Sequence, residues 1–320
     1  MPLPSDEKIV QLANELVKIF QTIAGKHPGY RPAHAKGILL KGTFASAREA
    51  ASLTHAPHVQ RKSTPVVVRF SDGSGLPMIP DNDPNASPKG FAIRFYLAEH
   101  VHTDIVSHST DGFFTKNGQD LLEFLRAVGE GNPPAFLAKH PETLAFIQTP
   151  KPNPVSFAME EFFAVSAFRF INQNGLTRYG RYRIVPRAGL QHLDDETAKS
   201  KGANYLFDEI KERVSRGPIK FDIQVQVAEK GDVVNDSTVR WPESRPVIPF
   251  GTVTLTELAP DDEAHKKIIF DATPRVEGIE PSDDPLFEVR AAAYLLAGRE
   301  RRQTVDSQAA ASLANAQPRS

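Results

Sequence analysis

Eight short segments, rich in β-branched or aromatic residues and bounded by Gly, Pro, Asp or Asn, do most to restrict how this chain can fold. They are GILLKGTF (37–44), PVVVRF (65–70), GFAIRFYL (90–97), HTDIVSHS (102–109), FAVSAFRFIN (163–172), TRYGRYRIV (177–185), IKFDIQVQV (219–227) and FGTVTLTEL (250–258). Segments of this kind read as strands. In KFDIQVQV polar and apolar residues alternate strictly, so one face is buried and the other wet. QNG at 173–175 supplies a hairpin turn between the fifth and sixth segments. The strands fall into two groups of four and do not alternate one by one with helices, which argues against a doubly wound parallel sheet. Eight antiparallel strands are the number that closes a barrel holding side chains or one small ligand. The expected class is therefore α+β: an eight-stranded antiparallel β-barrel with peripheral helices.

Helical patterns lie before, between and after these strands. Over residues 6–24, Ile9, Leu12, Ala13, Leu16, Val17 and Phe20 form one apolar face. Ser5 is placed to cap this helix, Asp6 and Glu7 suit its positive end, and Gly25 and Pro28 stop it. GQDLLEFLRAV (118–128) opens a helical insert that continues in Pro-punctuated pieces to about 150, and a further helix is expected near 204–215. The expected organisation is one domain over 1–303: the N-terminal helix, the barrel with its insert over 31–258, and a helix over 285–303. Residues 304–320 are expected to form a frayed tail.

Composition narrows the chemistry. The chain has no cysteine, which excludes a disulfide framework, a Cys-type zinc site, a thiolate nucleophile, a thiolate-ligated haem and covalent c-type haem attachment. A net charge of −1 provides no field for nucleic acid or an anionic membrane. No run approaches the roughly 18 apolar residues of a membrane span. The charged N-terminal pattern lacks a signal-peptide core, so a cytoplasmic location is expected.

Several residue groups could carry chemistry. In FEVRAAAYLLAGRERR (287–302), Arg290, Tyr294 and Arg301 fall within about 40° of one another on a helical wheel, with Ala297 on the same stripe. That face offers a phenol flanked by cations, and a small residue beside it makes room for something flat; a surface tyrosine on a basic helix has the same pattern. RPAHAKG places His34 three residues after Arg31, just before the first strand, and VRFSDGSG puts Arg69 and Ser71 on one strand face. His100, His102, Asp104 and His108 share parity and would suit a non-haem iron site of two histidines and a carboxylate.

Taken together, RPAHAKG…GTF, VRFSDGSG, DPNASPKGFAIRFY, TDIVSHSTDGFF, RWPESRPVIPFGTVTL and GIEPSDDPLFEVRAAAY resemble the haem catalases in order and spacing, from about Arg31 to Arg302. The chain is much shorter than full-size catalases, so it is most similar to the minimal, catalase-related peroxidase branch. The resemblance implies haem b, with Tyr294 as proximal iron ligand and Arg290 hydrogen-bonded to its oxygen. A free phenol ionises only near pH ~10, and a ferric ion and a neighbouring cation both favour the phenolate. Arg31, Arg69 and Arg301 match the arginines that hold the haem propionates. His34 matches the distal catalytic histidine, which moves a proton between the two oxygens of peroxide. Ser71 matches the serine that orients its ring, and Phe113 and Phe114 match the aromatic pair that dries the distal pocket.

Two features depart from the family pattern. His108 stands where most catalases carry the distal asparagine, and LLAGRE replaces the usual Pro, Asp and His after the tyrosine. An imidazole donates, accepts or becomes cationic where an amide only donates or accepts, which disfavours efficient dismutation of a second peroxide. The implied activity is therefore reduction of hydrogen peroxide or an alkyl hydroperoxide by a small organic electron donor, with weak catalase activity, in defence against oxidative stress. Alternatives are fatty-acid hydroperoxide rearrangement of the allene oxide synthase type, or a non-enzymatic haem-binding module. A homodimer is a mild expectation.

Overall fold

All eight expected strands form, each within three residues of its expected bounds. They are β1 Gly37–Ser46, β2 Thr64–Ser71, β3 Gly90–Ala98, β4 Val101–His108, β5 Phe162–Ile171, β6 Thr177–Pro186, β7 Ile219–Val227 and β8 Val247–Leu258. The structure is a computed structural model that describes residues 2–260 and 263–316, with side chains described over 2–260 and 264–307. The strands are antiparallel in the order β4-β3-β2-β1-β8-β7-β6-β5, and a single pair, His108 with Phe163, joins β4 to β5 and closes the barrel. A short ninth strand, β9 Ile279–Pro281, went unmarked in the sequence; it pairs along β5 at Phe168–Phe170, where the β5–β6 register shifts.

Phenylalanine fills the barrel. Phe44, Phe70, Phe91, Phe162, Phe221 and Phe250 are fully buried. Phe44 meets Phe95 edge-on at 5.1 Å, and Phe70 meets Phe91 edge-on at 5.3 Å. Each such ring contributes about 1.5–3 kcal/mol of burial, and edge-on pairs add about 0.5–1.5 kcal/mol. Of the two contents a barrel of this size allows, side chains occupy it. Arg69 and Ser71 have the opposite parity to the barrel-filling Val66, Val68 and Phe70 of β2 and so lie on its outer face.

Helix α1 spans Glu7–Ala24 and is capped by Asp6, whose carboxylate accepts from Lys8 N at 2.8 Å, in place of the expected Ser5. The helix starts one residue later than its apolar stripe suggests, which moves the cap position. Gly25, at φ 82°, ends it. The insert comprises α2 Gly118–Gly129, α3 Pro133–Leu137 and α4 Pro141–Gln148; α5 Asp195–Ser200 and α6 Tyr205–Arg216 precede β7, and α7 Glu263–Lys266 follows β8.

The last helix, α8 Leu286–Ala316, runs well past 303. The expected frayed tail is therefore helical through Ala316, and residues 317–320 lie outside the described residues. TVDSQAAASLANA contains neither Gly nor Pro, so nothing in it stops a helix. Ala13, Leu16, Leu121, Leu125, Val289 and Ala292 join α1, α2 and α8 in a second apolar core. Gly118 permits that approach, because a methyl there would lie 3.0 Å from Val289 Cγ2. Among the described residues, no helix is long and apolar enough to cross a membrane.

Candidate functional site

One register row crosses four strand ends. Gly37 pairs with Ser71, Ser71 with Gly90, and Gly90 with His108. His34 reaches this row from the segment before β1, with its Nδ1 3.1 Å from Ser71 Oγ. Its backbone sits at φ 55°, uncommon for a residue with a side chain, and two hydrogen bonds hold it there. His34 N donates to Gly73 O at 3.2 Å, and Arg69 Nη2 donates to His34 O at 2.8 Å. Gly90 supplies the space: a methyl at that position would lie 2.5 Å from Ser71 Oγ and 2.8 Å from His34 Nδ1.

His108 comes to the same place from β4. Thr110 Oγ1 lies 2.8 Å from its Nδ1, while its Nε2 is buried without a hydrogen-bond partner. Burial, reinforced by Arg69 and Arg31, lowers the His34 pKa to about 4. Burial, reinforced by Arg290 and His34, lowers that of His108 to about 3. Both rings are thus neutral at physiological pH. Phe113 lies 6.1 Å from the His108 ring, but Phe114 turns into the helical insert, 4.2 Å from Phe146. Phe113 thus borders His108, and Phe114 packs edge-on against Phe113 at 5.3 Å.

Three guanidinium groups converge beside His34. Arg69 bonds the carbonyls of His34 and Ala35, and Arg31 and Arg301 donate to one acceptor, Ile268 O, at 3.0 and 2.8 Å. The segment carrying Ile268 is strapped to the barrel by Asp104, which accepts two bonds from Arg94 at 2.9 and 2.7 Å and one from Asp271 N at 2.8 Å. Among the described residues none of the three arginines has a carboxylate within ion-pair distance. Burial, then the charge of Arg69 and Arg301, pushes Arg31 well down. Burial and Arg301 lower Arg69 to about 9, and burial and Arg302 lower Arg301 to about 10. Cations held this close, with only the charge of Asp72 acting against the lowering at Arg69, favour an anionic ligand.

Helix α8 brings a further pair of residues near the two histidines. Asp284 caps its start, accepting from Leu286 N at 2.9 Å. Arg290 Nε donates to Tyr294 Oη at 3.2 Å, with its guanidinium 5.7 Å from the ring centroid. The expected phenol–cation pair therefore forms, and Arg290 is near enough to bias both His34 and His108. Ala291 and Ala297, each within about 60° of Tyr294 on the helical wheel, keep that face of the helix low.

The strand histidines do not assemble a metal site. His100 sits in an exposed turn at φ 60°, Asp104 is committed to Arg94, and no metal-holding group of three acidic, Cys or His residues occurs among the described residues. Sequence reasoning also passed over four charged residues beside the site. Asp72, Asp81 and Lys89 are almost wholly buried, and Lys36 joins them. In the sequence they look like ordinary surface charges; their positions next to Ser71 and Gly90 were the available signal.

The family model for catalase matches residues 25–311. The chain is 33% identical over 292 residues to a catalase-related peroxidase of Mycolicibacterium paratuberculosis, covering 88% of this chain and 92% of that protein. It is 31% identical over 301 residues to a catalase-related peroxidase of Synechococcus elongatus, covering 90% of this chain and 88% of that one. Its fold also resembles a solved fungal catalase, with a TM-score of 0.76 and 21% identity over 89% of this chain; it spans 62% of that longer chain. With a matched span that contains every residue of the site from Arg31 to Arg301, this chain belongs to the catalase family.

Proposed function

We propose that this chain is a haem b peroxidase, reducing hydrogen peroxide or organic hydroperoxides with a small organic electron donor, with weak catalase activity. Catalases bind haem, and the donor set here suits that cofactor. The observation that carries the reading is the pairing of Tyr294 with Arg290 on α8 and of His34 with Ser71 at the strand ends, near three guanidinium groups with no carboxylate at ion-pair distance among the described residues. Tyr294 is the group that would hold iron. Arg31, Arg69 and Arg301 would hold the two propionates, their forked donors fixing orientation as well as charge.

Haem, when bound, supplies the redox chemistry that cleaves the peroxide bond. The residues of this chain supply binding and proton movement. His34 Nε2 takes the proton from one peroxide oxygen and returns it to the other, so that water or an alcohol leaves. Ser71 holds the far side of that ring, which keeps Nε2 directed at the substrate. His108 offers its unpartnered Nε2 to the same substrate, held by Thr110. Phe113 excludes water beside it. Arg290 stabilises negative charge on the Tyr294 oxygen.

The decisive experiment is an optical spectrum of the purified protein before and after peroxide, followed by oxygen evolution measured against donor oxidation. A colourless protein that stays colourless after reconstitution with hemin defeats the reading. Because His108 replaces the distal amide, a lipid hydroperoxide supplied without donor tests the rearrangement alternative: rearranged product in place of donor-dependent alcohol would favour it.

A further inference from the structure

Behind the row of Gly37, Ser71, Gly90 and His108 lies a second row, each member one residue removed: Lys36, Asp72, Lys89 and Ser109. Asp72 N donates to Lys36 O at 3.2 Å, and Ser109 N donates to Lys89 O at 2.8 Å. Lys89 N in turn donates to Ser109 Oγ at 3.0 Å. The Lys89 side chain runs the other way, donating to Asp72 Oδ1 at 2.7 Å and to Asp81 O at 2.6 Å. Its relative exposure is 1%, and that of Asp72 is 0%. Lys36 completes the alternation of charge, pairing with Asp81 and lying 3.9 Å from Asp72 Oδ2.

Lys89 therefore grips both distal positions. Its main chain fixes the end of β4, one residue from His108. Its ammonium fixes the end of β2, one residue from the Ser71 that holds His34. Its neighbour Gly90 is the position at which Ser71 and His34 meet the sheet most closely. A buried ion pair seldom adds stability over an apolar pair of equal shape, so its presence here calls for a positional explanation.

We propose that Lys89, through its buried pair with Asp72, is a positioning residue that fixes the relative placement of His34 and His108. This rests on the reading of His34 as the group that meets a ligand on the haem. The test uses the haem-loaded protein and cyanide, whose affinity and C–N stretching frequency respond to distal hydrogen bonds.

Lys89→Met is expected to retain the parent ferric spectrum while losing about tenfold in cyanide affinity, the worth of one good hydrogen bond, with a shifted C–N stretch. In a His34→Ala/His108→Ala background the same substitution is expected to cost nothing further. If Lys89→Met does not fold, the double variant Asp72→Asn/Lys89→Gln replaces the ion pair by two amides and carries the same expectation. Parent-like cyanide affinity and stretch in a folded Lys89 variant overturn the proposal, as does an equal loss in the His34→Ala/His108→Ala background. Should His34→Ala itself leave cyanide binding unchanged, the underlying reading of the site fails and takes the proposal with it.

Discussion

Arg31 and Arg301, from opposite ends of the chain, donate to a single carbonyl, Ile268 O, at 3.0 and 2.8 Å. Their sharing of an acceptor makes one of them removable without leaving that carbonyl bare. Arg31→Gln should accordingly leave the haem-free protein as stable as the parent, or more so, because mutual repulsion among three buried cations falls. Haem affinity should drop about 10- to 100-fold, the worth of a charge-assisted bond of roughly 1.5–3 kcal/mol. Thermal melts of the haem-free protein and hemin titration read the two effects separately. Destabilisation together with unchanged affinity would refute the anion-binding role.

Tyr294→Phe removes the oxygen to which Arg290 donates on α8. The fold should survive, since the ring remains, while the haem spectrum changes outright or haem is lost. Absorption spectra and iron content measured on the same preparation check this. A variant with parental haem content and spectrum would show that iron is held elsewhere.

Gly90→Ala tests the crowding of the distal side. A methyl would press on Ser71 Oγ and His34 Nδ1, at 2.5 and 2.8 Å. Overpacking of this kind costs about 1–3 kcal/mol. The rate of reaction with peroxide should fall at least about tenfold as His34 moves, with haem still bound. Stopped-flow absorbance gives the rate, and a parent-like value would mean that His34 tolerates displacement.

Acid should act on stability through buried imidazoles. Burial lowers His34 to about 4, His108 to about 3 and His58, inside the barrel, to about 3. An unfolded imidazole takes its proton near pH ~6.5. Above that pH neither state is protonated and stability is complete. As pH falls from there toward about 4, only the unfolded chain binds protons, and stability is lost at about 1.4 kcal/mol per pH unit for each such group. Denaturant midpoints from pH 8 to 5 should show this slope, and His58→Phe should reduce it. Burial raises the Asp72 and Glu160 carboxyls to about 7, and these gain stability as pH falls, so the check is the comparison with His58→Phe: equal slopes in parent and variant would mean that the His58 ring is solvated.

Phe91→Ala should separate the barrel from the site. The ring is fully buried among Phe70, Phe162 and Phe221, so its loss costs about 3–5 kcal/mol. Because the interior is packed and the site lies outside it, haem content per folded molecule should stay near parental. Selective loss of haem at unchanged stability would place the ligand inside the barrel.

The strands were legible because turn residues bound them and β-branched and aromatic residues fill them. Which face is inside was not: in TPVVVRFS every residue but Pro65 is buried, so alternation gives no direction. The helical wheel brought Arg290 and Tyr294 together correctly, since both lie on one helix whose geometry is local. By contrast, the row Ser71–Gly90–His108 depends on register between separate strands. The meeting of Arg31 with Arg301 depends on a carbonyl in KKIIFDA, which reads as a plain apolar stretch. Contacts set by main-chain atoms of distant segments leave little trace in side-chain pattern.

Helix α8 is unbroken between Tyr294 and Arg301, and seven residues of helix rise about 10 Å. The spacing of phenol and guanidinium is thus a property of peptide geometry, indifferent to adjustments elsewhere in the molecule. Such a rod works as a fixed gauge. Drift in the barrel leaves the length that fits along it constant.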